Sequence, residues 1–153
     1  LTVQSYVNAL LESFFFYEIK RFDIKGKEYL RTRGKYYIVD IGLRNSLLGF
    51  RNRDSGHAFE NIVYLELLRR GYDVAIGKVG RAEIDFVATK THEKLYIQVT
   101  QSMLSESVRE RELAPLMSVR DNHEKIVLSL EPGLDGSYDG IKSINLIEWL
   151  MDW

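Results

Sequence analysis

The chain has 153 residues, 45% of them hydrophobic, with 21 Lys and Arg against 22 Asp and Glu and a formal net charge of -1. That is enough to bury one ordinary core, and it excludes a disordered tail and any nucleic-acid role that rests on overall basicity, leaving only a local patch for one. Cysteine is absent, which removes disulfide scaffolds, thiolate metal sites and cysteine nucleophiles.

From the start, Val3, Tyr6, Val7, Leu10 and Leu11 recur at the spacing of a one-sided helix. "FFFYEIKRF" then turns aromatic and β-branched, and Lys25-Gly26-Lys27 marks a turn before "EYLRT", so a helix followed by a β-hairpin is predicted. Between Glu18 and Lys35 seven Lys or Arg face three acids, a local charge of +4. Lys20, Arg21, Lys25, Lys27 and Arg31 are therefore candidate phosphate contacts, the alternative being a solvated hairpin with snorkelling stems. "KYYIVDIGLRNSLLG" reads as a short strand, a turn at Gly42 and a short helix ending at Gly49.

Asp54 or Ser55 is expected to cap a long amphipathic helix over 56–70, with Gly71 as its stop. Three strands follow. In "AEIDFVAT", Ile84, Phe86 and Ala88 should share one face and Glu83 and Asp85 the other; in "KLYIQVT", Leu95, Ile97 and Val99 should oppose Lys94, Tyr96, Gln98 and Thr100. A charged helix should begin near Ser105, bent or ended by Pro115. "KIVLSL" is a buried-type strand, and "GIKSINLIEWLMDW" supplies a last strand and a short helix. The order from residue 55, α-β-β-β-α-β, predicts a sheet with helices packed on it, an α/β or α+β class. The longest apolar run, "ALLESFFFY", is broken by Glu12 and is far short of the roughly 20 residues that span a bilayer. A cytoplasmic protein is expected, and a chain that starts at Leu1 in what reads as mid-helix is expected to be a piece of something longer.

Chemistry narrows quickly. "GYDVAIGKV" has five residues between its glycines and Val79 where a phosphate loop needs a hydroxyl, so it does not bind nucleotide in that manner. His57, His92 and His123 lack metal-site spacing, and Ser55 lacks a nucleophile-elbow context. What remains is oxygen: Glu60 on the long helix, Asp85 in mid-strand and Gln98 on the next strand. Adjacent strands lie about 4.8 Å apart, which lets Asp85 and Gln98 share a cleft that Glu60 overlooks. Two carboxylates and a carbonyl suit Mg2+ or Mn2+ and a phosphodiester. An acid early in a helix is favoured by the dipole alone, so Glu60 carries less weight than Asp85, because aspartate is depleted in strands and costly to bury unpaired.

Together, "KYYIVDIGLRNSLLG", "GHAFENIVYLELLRRGYDV", "AEIDFVA" and "YIQVTQS" closely resemble the C-terminal domain of a large group of bacterial and archaeal AAA+ ATPases, over essentially the whole chain. The resemblance implies that residues 1–50 are the end of a winged-helix segment with its connector. Residues 51–153 would then form a restriction-endonuclease-like PD-(D/E)XK core. Its acids would fall on Glu60 and Asp85, and its (D/E)-x-K step on Gln98-Val99-Thr100, a degenerate version that has lost a carboxylate and a lysine. A replacement cation is sought among Lys78, Arg81, Lys94, Arg109 and Arg111, of which the two last could approach a phosphate but not act as a base. The implied function is a nucleic-acid-binding or coupling module, for DNA more than RNA, joined to an N-terminal ATPase module, with weak or absent cleavage. An active Mg2+-dependent nuclease with a displaced lysine, and a purely structural or protein-interaction domain, are the alternatives.

Overall fold

The computed structural model describes residues 2–49, 55–131 and 136–152. After α1 (Val3–Glu12) come four short strands, β1 (Phe16–Ile19), β2 (Arg21–Asp23), β3 (Glu28–Tyr29) and β4 (Lys35–Ile38), then α2 (Ile41–Leu48). The remainder is α3 (Ser55–Arg69), β5 (Asp73–Val79), β6 (Ala82–Lys90), β7 (Glu93–Thr100), α4 (Glu106–Met117), β8 (Glu124–Ser129), β9 (Gly136–Tyr138), β10 (Ile141–Asn145) and α5 (Leu146–Met151). One mixed sheet runs β3-β2-β5-β6-β7-β8-β10-β9, and β1 pairs with β4 in a separate two-stranded ribbon. The architecture is mixed α/β, and residues 55–129 follow the predicted order of elements.

Two cores sandwich the sheet. On one face Val63, Tyr64 and Leu67 of α3 pack on Phe86, Ala88, Ile97 and Val99, joined by Leu146 and Trp149 of α5 and by Ile19 and Tyr37 of the ribbon. On the other, Leu113 and Leu116 of α4 cover Ile84, Val87, Tyr96 and Val127. The ends of α3 and β5 obey local chemistry: Gly71 adopts φ +82, a left-handed conformation that is cheap without a Cβ, and turns the chain into β5. Of the two caps proposed, Asp54 lies outside the described residues, and Ser55 is already the first residue of α3.

Three expectations need correction. The turn placed at Gly42 is already helical, because the Asp40 carboxylate accepts the Leu43 N–H at 3.0 Å and starts α2 there. Pro115 does not end α4, which runs two residues past it to Met117 although the proline ring removes the N–H that would bond the Arg111 carbonyl. More consequential is β6. Its register with β5 jumps from Ala75↔Val87 to Gly77↔Ile84, so Asp85 and Phe86 together oppose Ile76. This β-bulge shifts the alternation, and Ile84 joins Val87 on the α4 face while Phe86 and Ala88 face α3. Gly77 fits the crowding that results, since a Cβ there would lie 3.0 Å from side-chain atoms of both Ile84 and Val87.

Candidate functional site

The bulge sits where β6 and β7 part. Their ladder runs from Lys90↔Glu93 to Phe86↔Ile97 and goes no further. Past that point side chains satisfy the backbone: the Val99 N–H donates to Asp85 Oδ2 at 2.9 Å, and the Asp85 N–H donates to Gln98 Oε1 at 3.3 Å. Asp85 is thus nine-tenths buried and tied to its neighbour strand through Oδ2.

Glu60 comes over from the second turn of α3. Its Oε2 accepts from the Tyr37 hydroxyl at 3.0 Å and from Lys35 Nζ at 3.3 Å, and its Oε1 lies 3.8 Å from His57 Nδ1. The same Lys35 ammonium is 3.9 Å from Asp85 Oδ1. One cation therefore stands between two largely buried carboxylates. Burial, followed by the Glu60 charge, pushes the Asp85 carboxyl up to about 7, with the Val99 N–H and Lys35 pulling the other way. Burial and the Glu60 carboxylate likewise raise the Tyr37 phenol well above its ordinary range, so it is a hydrogen-bond donor at any ordinary pH. Its ring stacks on Tyr64 with centroids 4.9 Å apart, which fixes the hydroxyl on Glu60.

Gln98 departs from the expected ligand role. Its carbonyl is engaged by the Asp85 N–H and its Nε2 donates to Glu112 Oε2 at 3.1 Å, so the amide bridges β6 to α4. Thr100 turns to its own loop, its hydroxyl donating to the Ser102 carbonyl at 3.2 Å. None of the cations sought as replacements pairs with Asp85 or Glu60. Lys94 lies over the Phe22 and Tyr96 rings, Lys78 pairs with Glu83 at 3.4 Å, Arg109 sits over Tyr138 and Arg111 pairs with Glu112 at 2.7 Å. Arg81 is exposed on the β5–β6 turn. Of the hairpin set, Lys20, Lys25, Lys27 and Arg31 are exposed, whereas Arg21 is held by Glu83 at 2.9 Å and by the Arg33 carbonyl.

The residues missed from sequence are Lys35, Tyr37 and Glu112. Lys35 and Tyr37 are two apart on a strand and so share a face, which was the available signal. A cavity of about 650 Å³ opens beside them, lined by Lys35, Tyr36, Ile41, Leu47, His57 and Glu60 among others.

Among the described residues, no three His, Cys, Asp or Glu side chains gather as a metal cage. Asp85 and Glu60 do form a pair of hard oxygen donors, the kind that Mg2+ or Mn2+ takes while leaving other positions to water and phosphate, but the Lys35 ammonium stands between them in this structure.

A cleft of acids at a bulged, parting strand pair, on a mixed sheet between α3 and α4, defines a nuclease-fold class. The chain belongs to the restriction endonuclease family, whose model matches residues 52–142. Residues 1–54 match a domain of unknown function, DUF8612. An uncharacterized protein of Haemophilus influenzae is 41% identical over 150 residues, covering 98% of this chain and 37% of the relative. This chain thus spans well under half the length of that relative. No solved structure matches. Among the described residues, no helix is long and apolar enough to cross a membrane.

Proposed function

We propose that the chain is a nucleic-acid-binding module with a nuclease fold, taking a backbone phosphate of DNA in preference to RNA at the Asp85–Glu60 cleft, with weak or absent cleavage. The observation that carries this is the bulge at Asp85, which spends a costly buried carboxylate beside a second one where a regular apolar strand would have been more stable. Asp85 and Glu60 would hold Mg2+ or Mn2+, which when bound would neutralise phosphate charge and lower the pKa of a coordinated water. Replacement of a carboxylate by Gln98, whose amide is spent on Asp85 and Glu112, supports slow chemistry at best.

We read residues 1–50 as the end of a winged-helix segment with its connector, residues 51–153 as the nuclease-like domain, and the whole as the C-terminal part of a longer cytoplasmic AAA+ ATPase. The greater length of the Haemophilus influenzae relative supports a longer parent protein. Lys20, Lys25, Lys27 and Arg31 would add sequence-independent phosphate contacts.

The test is DNA binding across a salt series together with plasmid nicking in Mg2+ and Mn2+. Binding should weaken steeply with salt and with charge reversal at Lys25, Lys27 and Arg31, and nicking should be slow or absent. Absence of binding at low salt overturns the reading. Rapid nicking that Asp85→Ala abolishes overturns the weak-cleavage part and leaves an active nuclease.

A further inference from the structure

We propose that Lys35 is the phosphate-facing cation of the cleft, so that the segment matching the domain of unknown function completes a site whose acids belong to the restriction-endonuclease domain. This rests on the phosphate-binding reading above.

The electrostatic need comes first. Asp85 and Glu60 are both largely buried, and a phosphodiester brings a further negative charge to them. A divalent ion held by the two acids would offset part of that charge, and a cation beside it on the phosphate side would offset more. Among the described residues, Lys35 is the one Lys or Arg that pairs with either acid, at 3.3 Å from Glu60 and 3.9 Å from Asp85. Thr100, one strand over, turns its hydroxyl to the Ser102 carbonyl and offers no charge.

The ammonium is placed by more than its own contacts. Two residues along β4, Tyr37 donates to the same Glu60 oxygen that Lys35 reaches. One residue further, Asn61 of α3 clamps the β4 backbone from both sides, accepting the Ile38 N–H and donating to the Ile38 carbonyl, each at 2.8 Å. At the start of β4, Gly34 lies so close to β1 that a Cβ would meet the Ile19 carbonyl oxygen at 2.3 Å, so only glycine lets the strand enter there. A lysine held this way keeps its amine at one point instead of sweeping solvent. Its side chain is nevertheless 29% exposed and lines the 650 Å³ cavity, so a phosphate can reach it.

A short fluorescent DNA duplex, titrated in Ca2+ over a salt series and followed by anisotropy, tests the assignment. Lys35→Met should bind about tenfold more weakly and lower the salt slope by about one, as loss of one phosphate contact does. Lys35→Arg should keep most of the affinity and the salt slope. A purely structural lysine would leave the salt slope unchanged when its charge is removed. Lys35→Gln, read beside the melting temperature of each variant, separates loss of charge from loss of fold. If Lys35→Met and Lys35→Gln fold and bind with unchanged slope while the wild type binds and responds to Asp85→Ala, the assignment is wrong although the phosphate-binding reading stands. A wild-type chain that does not bind at all overturns both.

Discussion

The N-terminal segment and the sheet behind it are built on different terms. Phe86, Leu67, Ile97 and Leu128 are completely buried, whereas α1 and α2 bury no residue, and Val3 and Phe14 are 81% and 73% exposed. Burial of apolar area holds the sheet, at about 25 cal/mol per Å². The N-terminal segment is instead docked by a few specific contacts: Ile19 and Tyr37 in the α3-side core, the β2–β5 pairing, the Arg21–Glu83 pair, and the Asn61, Glu60 and Lys35 contacts of β4. The difference teaches that the part with the weaker core sits against the functional acids, and that the site doubles as its anchor.

The largest break in that comparison should come from Phe86→Ala. Removing a fully buried ring between α3 and the sheet should cost about 3–5 kcal/mol in chemical denaturation, while Leu10→Ala on α1 should change stability by about 0.5 kcal/mol or less. Equal losses would mean that α1 belongs to the same cooperative core. Next in size, Asn61→Ala leaves both backbone groups of Ile38 without their partner and should cost about 1–3 kcal/mol. Amide exchange should locate the effect, with faster exchange at Ile38 and little change in β6 and β7. Unchanged exchange at Ile38 would show that the ribbon is held elsewhere.

A third expectation sharpens the contrast by gaining stability. The Asp85 carboxyl titrates at about 7 in the fold, above the ordinary 3.8, so the unfolded chain loses that proton first as pH rises. Stability linked to Asp85 is therefore full below pH 4 and declines until pH passes 7. Asp85→Asn keeps an acceptor for the Val99 N–H and removes the charge. In metal-free buffer it should be stabilising by roughly 1–3 kcal/mol at pH 8 and by little near pH 4. A gain of the same size at both pH values would contradict a charge-linked origin.

Much of this was legible in the sequence. The amphipathic α3 with its Gly71 stop, the three strands after it and the misfit of Asp85 in an apolar strand all follow from periodicity and burial cost. The bulge was not legible, because "AEIDFVAT" alternates regularly and the register shift is set by pairing with β5. Lys35 lies 50 residues before Asp85 and reads as one more charge in a basic stretch; only docking of β4 on α3 reveals it. Glu112 is likewise hidden among the acids of "ESVRERELAPLM" until Gln98 touches it.

The bulge in β6 has a consequence for how this sequence can drift. It holds one residue more than its partner strand needs, so deletion of Asp85 would yield a regular ladder with Ile84 and Val87 on the α4 face and Phe86 still on the α3 face. Such a deletion would be easy to fold and would erase the cleft in one event. A chain that retains the surplus residue keeps a sheet defect which folding alone would remove.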